Sequence, residues 1–238
     1  KVGDKLKVDK HVGKIGNAKV NLPKSNLGIG HTRWATHGGV TDINAHPHLD
    51  CRQQIAVVHN GIIENYVELK DELLKKGHRF ISETDTEVIP HLIEENLKTK
   101  DFAVSVRDAF NRFTGMNAIV ACYTPSSEII AAKTGSPLIA GIGKDGLYIS
   151  SDVSGIIPHT RNVVFLKDKE MVILGKNLTL ISLQDGKERK ANIETVDWKI
   201  EDADMGSYPH FMLKEIHEQP KVIRNIAKSY DEQINTLA

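Results

Sequence analysis

The segment from Gly28 to Gly39 combines, within twelve positions, side chains that could recognise a small charged ligand. Arg33 and Trp34 lie inside it, and Gly38 with Gly39 frees the backbone to turn sharply after them. A guanidinium binds a carboxylate through two parallel hydrogen bonds, so an arginine beside an aromatic side chain on a turning segment suits a small carboxylate. The alternative for this segment alone is a surface turn with a buried tryptophan.

Two further polar clusters follow the ends of predicted secondary structure. Residues 55–58 predict a short buried strand that ends at His59, Asn60 and Gly61, and Asp85 precedes a predicted helix. Arg33 and Asp85 together supply the two charges that the α-carboxylate and the α-ammonium group of a free amino acid require. The side-chain N–H of Asn60 and the backbone N–H of Gly61 could donate to one oxygen, which is how an oxyanion hole works. The alternative for Asn-Gly after a strand is a plain hairpin turn.

Histidines and cysteines give no further catalytic group. Among the eleven histidines, His46 and His48 flank Pro47, so no helical i, i+4 ligand pair forms there and no supporting carboxylate can be assigned. We therefore expect structural histidines, no metal site and no cofactor. Cys51 lies in a polar loop without an identifiable base, and Cys122 lies in an apolar run typical of core. Neither predicts a nucleophile.

Composition places the chain among ordinary globular proteins. Its 238 residues are 40% hydrophobic and 26% charged. The 31 basic and 31 acidic residues balance, which argues against a nucleic-acid partner and against an acidic tail. No apolar run has membrane-spanning length, so no membrane partner is expected, and the first residues do not form a secretory signal. Two cysteines without a Cys-x-x-Cys pattern favour a reducing, cytoplasmic location.

The spacing of apolar residues changes from helical to extended along the chain. Helices are predicted near residues 64–77, over 102–113, and over 208–226 with a kink or break at Pro220. A further helix is predicted to begin at Thr84 or Asp85, either of which could cap it, with Pro90 near its start. Residues 1–27 predict a strand or two and a polar loop. Seven short β-branched runs predict strands at 118–123, 129–132, 138–141, 147–149, 163–166, 171–174 and 178–183. Strands at this density favour antiparallel hairpins and a layered α+β domain.

Five motifs, in this order, resemble one known family. They are Gly30-His-Thr-Arg-Trp-Ala-Thr-His-Gly38, Asn44-Ala-His-Pro-His48, His59-Asn-Gly-Ile-Ile-Glu-Asn65, Ser82-Glu-Thr-Asp-Thr-Glu-Val88 and Lys214-Glu-Ile-His-Glu-Gln-Pro220. The family is the glutaminase domain of the glutamine–fructose-6-phosphate aminotransferases, within the class II amidotransferases. The likeness extends from about residue 13 to the C-terminus.

The resemblance implies a fold, a reaction and partners. The fold is the α+β N-terminal-nucleophile hydrolase type, a four-layer α/β/β/α sandwich of antiparallel sheets, with residues 1–226 as the glutaminase domain. Residues 227–238 would begin a linker to a sugar-phosphate isomerase domain. The implied substrate is L-glutamine, hydrolysed to glutamate and ammonia for making glucosamine 6-phosphate from fructose 6-phosphate, and a homo-oligomer is expected for the full-length form.

The resemblance also assigns roles to residues. Arg33 and Asp85 would hold the charged ends of glutamine, Trp34, Thr36 and His37 would lie on a loop that closes over it, and Asn60 with Gly61 would form the oxyanion hole. The nucleophile would be an N-terminal cysteine whose α-amine is the base. This sequence begins with Lys1, so we expect the cysteine-bearing segment to be missing and the chain as given to be inactive. Two alternatives stay open: a catalytically dead glutamine-binding regulatory module, and the glutaminase part of another class II amidotransferase.

Overall fold

A computed structural model describes residues 1–13, 20–197 and 205–237, with side chains up to residue 230. Contacts divide the chain into two units, Lys1–Val196 and Asp197–Ala238. The helices are α1 (Tyr66–Lys75), α2 (Val88–Asn96), α3 (Phe102–Phe110) and, in the second unit, α4 (Phe211–Leu237). Two 3-10 turns cover Asp85–Glu87 and Val153–Gly155. In the described part of the chain, no helix has the length and apolar character needed to cross a membrane.

Eleven described strands form two sheets. The strands are β1 (His48–Leu49), β2 (Ile55–Gly61), β3 (Asn117–Tyr123), β4 (Ile129–Thr134), β5 (Ile139–Ile142), β6 (Leu147–Ser150), β7 (Asn162–Phe165), β8 (Glu170–Leu174), β9 (Leu178–Ser182), β10 (Glu188–Arg189) and β11 (Glu194–Thr195). The larger sheet has the order β1-β2-β3-β4-β8-β9-β10, and the smaller has the order β11-β7-β5-β6. Every pairing is antiparallel. The seven predicted strands and their antiparallel arrangement are therefore confirmed.

The larger sheet is buried on both faces. Val57 on β2 belongs to a core shared with the three helices of this unit, where it joins Leu73 of α1 and Ile89 of α2. The next residue, Val58, points to the opposite face and joins a second core that includes Ala140 of the smaller sheet. Alternate side chains of the same strand thus hold a helical layer on one side and the second sheet on the other.

A third core covers the outer face of the smaller sheet. Ile139 and Val163, from two of its strands, pack with Ile156 and Ile157, which follow the Val153–Gly155 turn. The order of layers is therefore helices, large sheet, small sheet and turn. Asn60 and Gly61 lie at the C-terminal end of β2, at one edge of these layers.

Several local predictions are wrong. α3 ends at Phe110 because Asn111 and Arg112 turn the chain there, three residues before the expected end. Neither Thr84 nor Asp85 caps the second helix. Thr84 makes no capping bond at the 3-10 turn, and the Asp85 carboxylate instead accepts the Ile63 N–H.

The chain termini also differ from expectation. Among residues 1–13 and 20–27 the only pairing is an isolated bridge between Val2 and Lys5, because these segments bond through side chains and loops rather than ladders. α4 contains Pro220 and is continuous from Phe211 to Leu237, so the predicted break is absent, and the predicted kink stays a prediction. Most of 227–238 lies inside this helix, and the predicted boundary at residue 226 stays a prediction.

Candidate active site

A cavity of about 430 Å³ lies at the C-terminal end of β2. It brings together all three polar clusters of the sequence, because Arg33, Asn60 and Asp85 line it although loops and a helix separate them along the chain. Trp34, Thr36 and Gly61 also line it, and so do His31, Thr32, His46, His59, Ile62, Glu64, Thr84, Thr86, Met116 and Ser136. His37 is not among the lining residues. Its ring packs edge-on against Tyr66, with ring centroids 5.4 Å apart.

Asp85 is the buried anion of the cavity. Only 3% of its surface is exposed, and its Oδ2 accepts the Ile63 N–H at 2.8 Å. It starts the 3-10 turn, so the backbone that leads into α2 fixes its position. A carboxylate removed from water on a rigid turn is arranged to bind a cation strongly.

His59 connects the Asp85 turn to the sheet. Its Nδ1 lies 2.9 Å from Thr86 Oγ1, and its Nε2 lies 2.9 Å from Asn117 Oδ1. Burial lowers the pKa of His59, and the negative charge of Asp85 offsets this effect only in part. A neutral imidazole with Nε2 donating to Asn117 and Nδ1 accepting from Thr86 satisfies all three groups. His59 therefore stabilises the position of the Asp85 turn relative to the sheet, next to the cavity.

Asn60 is oriented by His31. Asn60 Oδ1 lies 2.8 Å from His31 Nε2, so the ring N–H donates to the amide oxygen. With its oxygen engaged in this way, the amide presents its NH₂ group as a donor, which an oxyanion hole requires. The His31 ring stacks on His46, at 4.2 Å between centroids, and His46 Nδ1 accepts the His59 N–H at 3.2 Å.

The histidines around this site are neutral, hydrogen-bonded groups. Burial lowers the pKa of His31 and, together with the neighbouring histidines, that of His46. Burial also lowers the pKa of His48 to about 3, and His48 Nε2 bonds to Thr84 Oγ1 at 3.1 Å. The prediction of structural histidines is confirmed for His46, His48 and His59.

Gly61 is required by the backbone. Its φ is +127°, and a Cβ atom built there would lie 2.1 Å from the carbonyl oxygen of Met116. Both the conformation and the space exclude any other residue. Because residue 61 is a glycine, the backbone of β2 can lie close to the start of β3 immediately after Asn60.

Arg33 is engaged by its own loop. Nη1 donates to Gly39 O at 2.7 Å, and Nη2 donates to His37 O at 2.6 Å and to Gly38 O at 3.1 Å. The guanidinium therefore braces the turn at residues 37–39 while it lines the cavity. The sequence did not indicate this, because any backbone carbonyl can accept from an arginine. Trp34 is 85% exposed, so the alternative of a buried tryptophan is wrong.

Sequence reasoning missed several residues at the site. His31 and Asn44 carried no recognisable signal as positioning groups, although both stand inside the quoted motifs. Met116 and Ser136 reach the cavity from the start of β3 and the end of β4. Only the pairing of the β3–β4 hairpin with β2 brings these chain-distant residues to the end of β2.

A family model matches the part of the chain that contains the residues lining the cavity. A family model described as "Glutamine amidotransferase domain" matches residues 31–158. That range includes Arg33, Asn60 and Asp85, which line the cavity.

Curated relatives are similar along nearly the whole chain. A glutamine–fructose-6-phosphate aminotransferase [isomerizing] from Thermococcus kodakarensis is 44% identical over 99% of this chain and 40% of its own length. The proteins of the same name from Thermus thermophilus and Pyrococcus horikoshii are 46% and 48% identical, over 92% and 93% of this chain. The chain spans only 37% to 40% of the length of these relatives.

Solved structures share the fold. Glutamine phosphoribosylpyrophosphate amidotransferase from B. subtilis, complexed with ADP and GMP, matches 65% of this chain and 34% of its own, with a TM-score of 0.55 and 23% identity. A structure described as the allosteric regulatory enzyme of purine biosynthesis matches the same shares with a TM-score of 0.56 and 26% identity. The predicted α+β fold of the N-terminal-nucleophile hydrolase type is confirmed. The chain belongs to the glutamine amidotransferase domain family.

Proposed function

We propose that this chain binds L-glutamine and supports its hydrolysis to glutamate and ammonia, and that the ammonia is used to make glucosamine 6-phosphate from fructose 6-phosphate. The observation that carries the proposal is the convergence of Arg33, Asp85 and Asn60 on one cavity of about 430 Å³. This volume is typical of small-molecule sites. The names of the relatives support the sugar product.

The two ends of glutamine take different partners. Buried Asp85 binds the α-ammonium group, because a desolvated carboxylate on a fixed turn interacts strongly with a cation. Arg33 binds the α-carboxylate. Its N–H groups now donate to carbonyls of residues 37–39, so binding exchanges some of these bonds for the carboxylate and couples the ligand to that turn. Trp34, Thr36 and His37 lie on the same segment and move with it.

The oxyanion forms at the other end of the ligand. Asn60 Nδ2 and the Gly61 N–H donate to the side-chain carbonyl oxygen as negative charge develops on it. The attacking group implied for this family is the thiol of an N-terminal cysteine. Neither Cys51 nor Cys122 lines the cavity, so the residues of this chain supply binding and oxyanion stabilisation rather than the thiol.

Calorimetric titration of the intact native protein with L-glutamine tests the binding mode. Asp85→Asn removes the anion and keeps the shape, so we expect at least about 10-fold weaker binding, as for a lost charged hydrogen bond. Asp71→Asn, on the exposed side of α1, is the matched control and leaves binding unchanged. Equal affinity of Asp85→Asn and the parent protein contradicts the assignment.

A glutamine-binding regulatory module is the second candidate. The absence of both cysteines from the lining of the cavity favours it, since binding groups alone do not cleave an amide. Ammonia release distinguishes the two functions: a glutaminase releases one ammonia for each glutamine consumed in the intact native protein. A regulatory module binds glutamine and releases none.

We further propose that the chain works with a sugar-phosphate isomerase domain of the same polypeptide, in a cytoplasmic homo-oligomer. The word isomerizing in the names of the relatives, and their greater length, support the isomerase domain. Light scattering of the intact native protein measures its oligomeric state, and a monomeric mass contradicts that part of the proposal.

A further inference from the structure

A second cluster of reactive side chains lies apart from the glutamine cavity. It consists of Cys51, His78, His91 and Glu94, and one ligand-type atom from each lies within 4.8 Å of all the others. None of the four lines the cavity described above. The sequence predicted no metal site, because these four residues are spread over 44 positions and form no recognisable ligand motif. The structure also corrects the interpretation of Cys51 as unpaired, since two imidazoles face its sulfur.

Four of the six distances between ligand atoms in this cluster are close to the edges of a coordination tetrahedron. Cys51 Sγ lies 3.7 Å from His78 Nδ1 and 3.6 Å from His91 Nδ1. Glu94 Oε2 lies 3.0 Å from His78 Nδ1 and 3.6 Å from His91 Nδ1. A tetrahedral Zn²⁺ with its usual bond lengths holds N, O and S ligand atoms about 3.3–3.6 Å apart. Shifts of a few tenths of an ångström would bring these four distances to the values expected for Zn²⁺.

Hydrogen bonding alone leaves His91 poorly satisfied. The residue is 1% exposed, and its Nε2 has no hydrogen-bond partner among the described residues, with Glu87 Oε1 at 3.8 Å. Its Nδ1 lies 3.6 Å from Cys51 Sγ, within hydrogen-bond distance of sulfur, and 3.6 Å from Glu94 Oε2, which is too long for a normal N–H···O bond. In the tautomer with the proton on Nε2, the Nδ1 lone pair faces Cys51 Sγ and Glu94 Oε2, as that of a metal ligand does, and the N–H faces Glu87 Oε1.

Rigid elements and outer contacts hold the four groups. His91 and Glu94 stand three residues apart on one face of α2, and Cys51 follows β1 by two residues. The His78 Nε2–H donates to Glu95 Oε1 at 2.8 Å, the carboxylate contact that commonly orients a metal-bound histidine. The Arg79 N–H points at Cys51 Sγ at 3.4 Å, a contact that stabilises a thiolate.

We propose that Cys51, His78, His91 and Glu94 bind one Zn²⁺ ion in a structural site, independently of glutamine hydrolysis. One thiolate, two imidazoles and one carboxylate form a donor set that favours Zn²⁺ over Mg²⁺ or Ca²⁺, which prefer oxygen ligands. Four protein ligands leave no open position, so the ion is structural rather than catalytic. The metal ties the loop after β1 and the turn after α1 to α2, the helix that follows the Asp85 turn.

Cobalt and zinc titrations of the intact native protein, stripped with a chelator, test this proposal. We expect one Zn²⁺ per chain by elemental analysis, and a Co²⁺ spectrum with a thiolate charge-transfer band and the intense visible bands of a tetrahedral ion. Cys51→Ser removes the charge-transfer band and weakens Zn²⁺ binding more than about 100-fold, because losing an outer-shell partner alone costs up to that much. His78→Asn weakens binding to a similar extent.

Matched variants control for the thiol and for the imidazole. Cys122→Ala removes the other cysteine, which lies in β3, and His159→Ala removes an exposed histidine. Both keep full Zn²⁺ binding and the cobalt spectrum, and circular dichroism verifies that every variant is folded. Substoichiometric Zn²⁺ after saturation, or an unchanged cobalt charge-transfer band in folded Cys51→Ser, overturns the proposal.

Discussion

Asn44 and Glu83 are joined by two hydrogen bonds that run in opposite directions. Asn44 Nδ2 donates to Glu83 Oε2 at 3.0 Å, and the Glu83 N–H donates to Asn44 Oδ1 at 3.0 Å. The same Asn44 amide donates to Gly39 O, and the Gly39 N–H donates to Glu83 Oε2. The pair therefore ties the turn that Arg33 braces to the segment that leads into Asp85.

Asn44→Ala is expected to loosen this connection. Asn44 is 2% exposed, so its loss leaves buried groups without partners, and we expect the free energy of unfolding to fall by about 1–3 kcal/mol. The KM for glutamine should rise more than kcat falls, because the two ends of the ligand lose their fixed separation. Urea unfolding and steady-state kinetics measure both effects. An exposed-site control, Asn26→Ala, should change neither quantity.

Gly61→Ala should be among the most damaging single changes in the chain. The added Cβ would lie 2.1 Å from Met116 O at a φ of +127°, so β2 and β3 must separate. We expect a loss of stability above about 2 kcal/mol, beyond the range of ordinary surface substitutions. Thermal unfolding followed by circular dichroism measures it. Gly146→Ala, where a Cβ meets nothing within 4 Å, is the control, and equal melting temperatures for the two variants contradict the explanation.

The residues of the candidate site could be predicted from the sequence where neighbouring residues in the chain determine their positions. Asn60 and Gly61 could be assigned together because a strand end followed by glycine leaves a side-chain amide and a backbone N–H side by side. Asp85 could be predicted as an anion near Arg33 and Asn60, but not the direction of its carboxylate, which accepts the Ile63 N–H instead of capping the helix. These positions depend on a few neighbouring residues, and the layers of the fold then bring them together.

Other features were not predictable because they depend on contacts between distant segments. Cys51 meets His78 and His91 across 27 and 40 residues, through the packing of α2 beside β1. Arg33 was assigned to a ligand, yet its N–H groups donate to carbonyls of its own loop. An arginine can donate either to a ligand carboxylate or to backbone carbonyls. Residue type alone therefore could not decide which of the two Arg33 contacts.

Acid pH should destabilise the fold through its buried histidines. The pKa of His48 is lowered from 6.5 to about 3, so below pH 6.5 the unfolded chain binds a proton that the folded chain does not. Stability is thus full above pH 6.5 and falls as the pH drops toward 3. Each strongly shifted histidine contributes up to about 1.4 kcal/mol per pH unit in this window.

Urea unfolding at pH 7 and pH 5 measures this dependence. His48→Gln keeps a hydrogen-bonding group near Thr84 and removes the titration, so its stability should fall less between the two pH values than that of the parent protein. His159→Gln, at an exposed histidine, should leave the dependence unchanged. A parent protein with equal stability at pH 7 and pH 5 contradicts the effect.

Arg33→Lys should raise the KM for glutamine strongly. A lysine offers a single ammonium in place of a planar fork, so it neither binds the α-carboxylate through two bonds nor braces the carbonyls of residues 37–39. We expect kcat to change less than KM, because the reacting amide lies at the other end of the ligand. Steady-state glutaminase kinetics of the intact protein separate the two constants. An unchanged KM removes Arg33 from the binding site.

Asn60→Ala should act on kcat. The amide NH₂, left as a donor because His31 holds Oδ1, stabilises charge that develops only in the transition state, so kcat should fall by about 10²-fold or more with little change in KM. His31→Leu keeps the amide but frees it to rotate, so a smaller fall in kcat at constant KM is expected. A large rise in KM with normal kcat in Asn60→Ala would instead mean that Asn60 binds the ground state and that the oxyanion is stabilised elsewhere.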